Sequence, residues 1–221
     1  MHPRRSSPVK NVMKLGCAAL LVLGTITMSH GIFIKAKAQL AQYLISHAWD
    51  KQQNSRVNEK PWPWADTYPI AKLKWGNLPE QLVLSGANAR NLAFGPVLQM
   101  NTAQPGRRGN VVIYGHNDTH FSTLSNVTVG DQIKLETKVG TQVVYEVSSV
   151  HVVDESDTYW IEDLGDNRLT LVTCYPFDAL EVNGPDRYVI VAHPAFDIED
   201  FSDFSFGTNN QFLANKGSQL L

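Results

Sequence analysis

From Tyr68 onward the chain is written in short apolar runs. Seven of them, at residues 70–75, 81–84, 111–114, 132–136, 142–153, 168–173 and 188–192, are rich in Val, Ile, Leu, Thr and Tyr, with Gly, Asn, Asp and Pro between them. Branched and aromatic side chains suit a pleated, half-buried surface, and the separators are turn formers. Many short strands at this spacing predict an all-β barrel or sandwich. Two intervening stretches, 89–98 and 121–127, read as short helical turns. Beyond Pro194 no strand pattern continues, and residues 195–221 are expected to be poorly ordered.

Three of the strand-like runs meet groups that can do chemistry. The run 168–173 ends on Cys174, the run 111–114 leads into Gly115-His116, and Arg187 opens the last run. A thiol, an imidazole and a guanidinium at strand ends can converge at one end of a sheet. They supply a nucleophile, a proton shuttle and an oxyanion stabiliser, which suffice for acyl transfer. Each also has a bland reading. A free cysteine packs as a small hydrophobe, His116 could be a polar strand-end residue, and a lone arginine most often forms a surface ion pair, here with Asp186 or Asp178. Thr173 is expected to hold the site through its hydroxyl or its backbone. Asp118 is a candidate to orient His116. His116 and His120 form an H-x3-H pair, a spacing that on a helix could bind metal, but a histidine ending a strand argues against it and makes His120 structural.

The N-terminus divides the chain. Arg4, Arg5, Lys10 and Lys14 precede residues 15–34, which contain no Asp, Glu, Lys or Arg. At about 1.5 Å per residue, such a segment just crosses a hydrocarbon core of about 30 Å. Basic residues before the span favour a cytoplasmic N-terminus and an exported remainder. Ala36-Lys37-Ala38 offers a small-x-small cleavage site, but it lies beyond the apolar core and after Lys35, so an uncleaved anchor is expected. Cys17 is no lipidation site, because the apolar run follows it. The chain has two cysteines, and Cys17 lies within this span, so Cys174 is expected to be a free thiol. A net charge of −2 gives no reason to expect nucleic acid. The expected order is a basic N-terminus (1–14), a transmembrane anchor (15–34), a juxtamembrane stalk and linker (35–67, polar over 51–60), a catalytic domain (68–194) and a tail (195–221).

Thr170-Leu171-Val172-Thr173-Cys174, with Tyr114-Gly115-His116 upstream and Arg187 downstream, resembles the sortases, the cysteine transpeptidases of bacterial cell surfaces. The resemblance spans residues 68–194 and extends to Phe94-Gly95-Pro96 and Val129-Gly130-Asp131-Gln132-Ile133. It implies a closed eight-stranded β-barrel with short helices, preceded by the transmembrane helix. It also implies that Cys174 forms a thioester with a C-terminal Leu-Pro-x-Thr-Gly-like sorting signal of a substrate protein. The acyl group would pass to an amine acceptor related to peptidoglycan, with His116 and Arg187 assisting and no cofactor. The stretch from Gly115 to Phe121 and the lead-in Pro61-Trp62-Pro63-Trp64 look more like the sortases of Gram-negative proteobacteria. That would place the domain in the periplasm, on the inner membrane. A cysteine protease using water as acceptor, and an inactive tethered binding domain, remain alternatives. A papain-like enzyme is disfavoured, since there the cysteine opens a helix and precedes its histidine. The Ser-x-Gly-Cys-x-Arg text of an L,D-transpeptidase is absent around Cys174.

Overall fold

The expected strands form, and they close on themselves. The computed structural model describes residues 8–55, 57–177 and 184–196. Eight strands, β1 (Pro69–Trp75), β2 (Gln81–Ser85), β3 (Val97–Leu98), β4 (Asn110–Tyr114), β5 (Gln132–Thr137), β6 (Gln142–Asp154), β7 (Arg168–Cys174) and β8 (Asp186–Pro194), make a closed barrel in the order β1-β2-β3-β4-β7-β8-β6-β5. The β2–β3 and β4–β7 pairs are parallel, and the remaining pairs are antiparallel. Leu73, Val83, Leu98, Ile113, Ile133, Leu135, Leu169, Leu171 and Ile190 fill the interior and are fully buried. β1, β4, β6 and β7 end at one pole, where β2, β3, β5 and β8 begin; the long 115–131 connection stays at that pole.

Strand β3 corrects the sequence reading, which took 89–98 as one helical stretch. The helix α2 (Ala89–Leu92) lasts a single turn, opened by the Asn88 side chain accepting from the Asn91 N–H at 2.9 Å. Gly95 and Pro96 then break it, and Val97 and Leu98 pair with β2 and β4. Residues 121–127 are turns and one 3-10 turn at Leu124–Asn126. The tail expectation concerns residues that, from 197 on, lie outside those described.

Helix α1 (Pro8–Ser55) begins the described chain and is long and apolar enough to cross a membrane. Its 48 residues extend about 72 Å. It runs into the stretch read from sequence as a polar linker, because one face of its last turns has a place to pack. Ala41, Ile45, Ala48, Trp49 and Gln52 recur at helical spacing and are buried. Ile45 packs with Leu84 and Val97. Gln42 Nε2 donates to the Phe94 carbonyl at 2.7 Å, and Gln52 Nε2 donates to the Pro69 carbonyl at 2.8 Å. The last part of α1 is thus a structural element of the barrel's wall.

Candidate active site

Strand alternation decides which way each candidate side chain points. Leu169 and Leu171 face the barrel interior. Val172 faces outward, in a cluster with Val112, Val189 and Val191. Cys174 has the parity of Val172, and Arg187 that of Val189, so both lie on the outer face. They are direct cross-strand partners at the mouth of β7 and β8. In the parallel β4–β7 pair Tyr114 stands beside Val172, and the ladder continues with the Gly115 N–H donating to the Val172 carbonyl at 3.2 Å. His116 follows Gly115, whose carbonyl accepts from the hydroxyl of Thr173, the residue before Cys174. Sequence-distant His116, Cys174 and Arg187 therefore meet on one outer face at one pole. His116 is exposed, Cys174 and Arg187 are half-buried, and Cys174 is a free thiol.

Thr173 fastens this arrangement. Its buried hydroxyl donates to the Gly115 carbonyl at 2.7 Å, tying the end of β4 to β7 one residue before each reactive group. Gly115 is needed there for room. A Cβ on it would lie 2.6 Å from the Phe121 ring, and the Phe121 N–H in turn donates to the His116 carbonyl at 2.9 Å. The loop is further held by Asn117, whose Nδ2 donates to the Pro176 carbonyl at 3.0 Å, bridging the histidine loop to the chain after Cys174. Sequence reasoning missed Asn117, since nothing in its spacing marks it.

His120 and Asp118 sit beside this set. The His120 carbonyl accepts from Gln81 Nε2 at 2.7 Å. Burial, and secondly the neighbouring His116, lower the His120 imidazole below its ordinary range, while the Asp118 carboxylate pulls the other way. Asp118 is exposed, and its carboxylate makes no hydrogen bond to either histidine among the described residues. No three His, Cys, Asp or Glu among the described residues group so as to hold a metal ion.

Arg187 has a partner that the sequence reading did not name. Its Nη2 is ion-paired and hydrogen-bonded to the Glu155 carboxylate, and its Nη1 donates to the Gly184 and Asp186 carbonyls at 2.7 and 2.9 Å. Of the two bland partners considered, Asp186 contributes only its carbonyl, and Asp178 lies outside the described residues. A guanidinium has five N–H donors, so Nε–H and one Nη2–H remain for a ligand.

Glu155 begins a segment, 155–167, that covers the outer face beside the site. Asn110 anchors it by donating to the Trp160 and Glu162 carbonyls at 3.0 and 3.1 Å, while its Oδ1 accepts from Thr170. Arg168 Nη2 donates to the Glu162 carbonyl at 2.7 Å, and the His151 ring lies 4.0 Å from the Trp160 ring. This covering explains why β4 and β7 are buried on both faces and read as unbroken apolar runs. A separate cavity of about 650 Å³, lined by residues including Lys74, Trp75, Thr123 and Lys134, opens at the same pole and touches none of His116, Cys174 and Arg187.

The family described as the sortase domain matches residues 76–195, just over half of the chain. Sortase D of Bacillus subtilis is 33% identical over 109 residues, covering 49% of this chain and 54% of that protein. Sortase A of Listeria monocytogenes is 32% identical over 97 residues, covering 42% and 43%. The chain thus spans about half the length of these relatives. Among solved structures, Listeria monocytogenes sortase A superposes with a TM-score of 0.52 at 25% identity, covering 58% of this chain and 88% of that one. A Clostridium perfringens sortase D5 transpeptidase superposes with a TM-score of 0.58 at 22% identity, covering 72% and 99%, a likeness of fold.

Proposed function

The chain belongs to the sortase family, and on that premise we propose that it is a membrane-anchored cysteine transpeptidase acting on a C-terminal Leu-Pro-x-Thr-Gly-like sorting signal. The observation that carries this reading is the shared outer face of His116, Cys174 and Arg187, with Cys174 and Arg187 paired across β7 and β8. The Cys174 thiolate attacks the scissile carbonyl, forming a carbon–sulfur bond. The remaining N–H donors of Arg187 stabilise the oxyanion of the tetrahedral intermediate. Collapse breaks the carbon–nitrogen bond, and His116 gives its proton to the leaving amine. An acceptor amine then loses a proton to His116, attacks the thioester carbonyl and expels the thiolate. Thr173 and Asn117 position the histidine loop, and His120 is a neutral neighbour within it.

The apolar helix α1 supports the anchor, and the cations before residue 15 support a cytoplasmic N-terminus. The text from Gly115 to Phe121 supports a place among the proteobacterial sortases, with the barrel in the periplasm and a peptidoglycan-related amine as acceptor.

Cleavage of a sorting-signal peptide, with and without an added amine, tests the reading. Cys174→Ala abolishes turnover. Arg187→Lys keeps the charge but loses directed donors, which costs about 3 kcal/mol or about a hundredfold in rate. Near-full activity of Arg187→Lys would refute the oxyanion role. Failure of the wild-type enzyme to place the amine in the product would replace the transpeptidase with a protease.

A further inference from the structure

The cavity of about 650 Å³ beside β1 and β5 has a lining that acyl transfer does not use. Leu73, Trp75, Ile133 and Leu135 turn inward on these strands, so the alternate residues Lys74 and Lys134 turn outward. The two lysines are direct cross-strand partners. Side chains opposed in this way stand about 5 Å apart at Cβ, and like charges there repel. Neighbouring lysines find partners within the chain. Lys72 Nζ is 3.6 Å from the Glu80 carboxylate, and Lys138 Nζ donates to Asn58 at 2.8 Å. Lys74 and Lys134 make no hydrogen bond or ion pair among the described residues, and both line the cavity. A repulsive pair is thus held over an open space with nothing in the chain to offset it.

The rest of the polar lining narrows what could offset it. The side-chain amides of Asn77, Asn126 and Gln132 face the same cavity and are unengaged among the described residues. Asp131 lines it as well. Its Oδ2 accepts from the Thr128 N–H at 2.8 Å and from the Thr128 hydroxyl at 3.1 Å, which leaves Oδ1 free to accept again. A phosphate would be drawn to the ammonium pair but repelled by this carboxylate. A ligand carrying both carboxylate and ammonium groups satisfies both, and amide side chains match the donor and acceptor of peptide groups. The volume lies within the range of about 300–1,000 Å³ usual for small-ligand sites.

We infer that this cavity is a second ligand site, which takes a short peptide bearing free carboxylates and a free amine. The carboxylates meet Lys74 and Lys134, the amine meets Asp131, and the peptide groups meet the three amides. The site is distinct from the acyl-transfer site, because β7, which carries Cys174, stands four strands from β1 in the closed order, across the barrel. A carboxylate-bearing amine is also the make-up of a peptidoglycan-related acceptor, so the cavity holds a copy of the acceptor other than the one that reacts; this last step rests on the transpeptidase reading.

Binding is measured by isothermal titration calorimetry on the full chain in detergent micelles, carrying Cys174→Ala so that turnover plays no part. The probe is N-acetyl-Ala-Glu-Lys, which offers two carboxylates and one amine. Lys74→Gln combined with Lys134→Gln should weaken its binding at least about tenfold, because two charge-assisted contacts are lost. Lys72→Gln should leave it unchanged. Replacing both carboxylates of the probe by amides should weaken it by a similar factor. Acetylating the lysine amine of the probe should also weaken it, and Asp131→Asn should then cost nothing further. The double lysine variant loses a repulsion, so its thermal unfolding midpoint should be no lower than that of the parent, which separates loss of binding from loss of fold.

No binding at millimolar probe, or equal affinity of the parent and the double lysine variant, overturns the inference. Inorganic phosphate that competes with the probe and binds as tightly overturns the peptide class and reduces the cavity to a site for an adventitious anion only. Cleavage of the sorting-signal peptide tests the transpeptidase reading separately, so failure of one leaves the other standing.

Discussion

Gly115→Ala is a one-methyl change whose cost follows from the packing. The new Cβ would stand 2.6, 2.7 and 2.8 Å from Cγ, Cδ2 and Cδ1 of Phe121, where carbon atoms pack at about 3.5–4.0 Å. The overlap is roughly 1 Å, and it must be relieved on one side or the other. Phe121 is fully buried and lies edge-on to Trp75 at 5.8 Å, so the ring has nowhere to retreat. If the Gly115 backbone moves instead, it strains the bonds to the Val172 carbonyl and the Thr173 hydroxyl. Overpacking of this kind costs about 1–3 kcal/mol, or a fall in Tm of roughly 3–10 °C for a chain of this size. The same displacement reaches His116, the next residue, and a shift of about 1 Å in a proton shuttle costs about a hundredfold in rate. Thermal unfolding of the detergent-solubilised chain and peptide cleavage read the two effects. Phe121→Leu shortens the ring and supplies the control: in that background Gly115→Ala should cost at least about 1 kcal/mol less than in the wild type. An equal cost in both backgrounds would show that Phe121 is not what Gly115 makes room for.

Two further predictions concern charge. Glu155→Gln removes an anion that competes with substrate for Arg187, while the two carbonyl bonds to Nη1 still hold the guanidinium. Its kcat/KM for peptide cleavage should rise about two- to fivefold, and because the pair is partly exposed its stability should change by less than about 1 kcal/mol; a fall in kcat/KM would make Glu155 an essential positioning residue. His120, lowered from 6.5 by burial and by His116, binds its proton less readily folded than unfolded, so the stability it contributes is complete above about pH 6.5 and is lost as pH falls below it. Tm measured between about pH 5 and 7.5 should therefore decline less steeply on the acid side for His120→Gln than for the wild type, and parallel curves would remove His120 as the source.

The parts of this molecule that were legible in the sequence are those where period and chemistry coincide. The apolar run 168–173 ends on Cys174 and another opens at Arg187, so both could be placed at strand ends from the sequence, while their direct pairing comes from the β7–β8 register. β3 could not be read, because two residues cannot alternate and Gly95-Pro96 looks like a turn. The continuation of α1 past Asp50 was hidden by its composition. Lys51, Gln53 and Asn54 are polar in isolation, and the helix persists there because Trp49 and Gln52 find partners on the barrel. The Glu155–Arg187 pair joins residues 32 positions apart, and no local pattern encodes it. Phe121 looked like part of a helical turn, and its role in shaping the His116 loop depends on a ring placed against a glycine.

The place of β8 in the barrel also sets the order in which the site can come into being. Strands β1 to β7 alone form an open sheet whose two free edges, β6 and β7, face one another across a gap. β8 fills that gap, pairing with β6 along its whole length and with β7 from Arg187 to Ala192. On a chain that emerges N-terminus first, α1 forms early, the histidine and then the cysteine follow, and the strand bearing the guanidinium arrives last. Shutting the barrel and setting Arg187 beside Cys174 are the same event. A chain stopped before Asp186 keeps its thiol and its imidazole but has two unpaired edges, so the three groups are brought together only by completion of the fold.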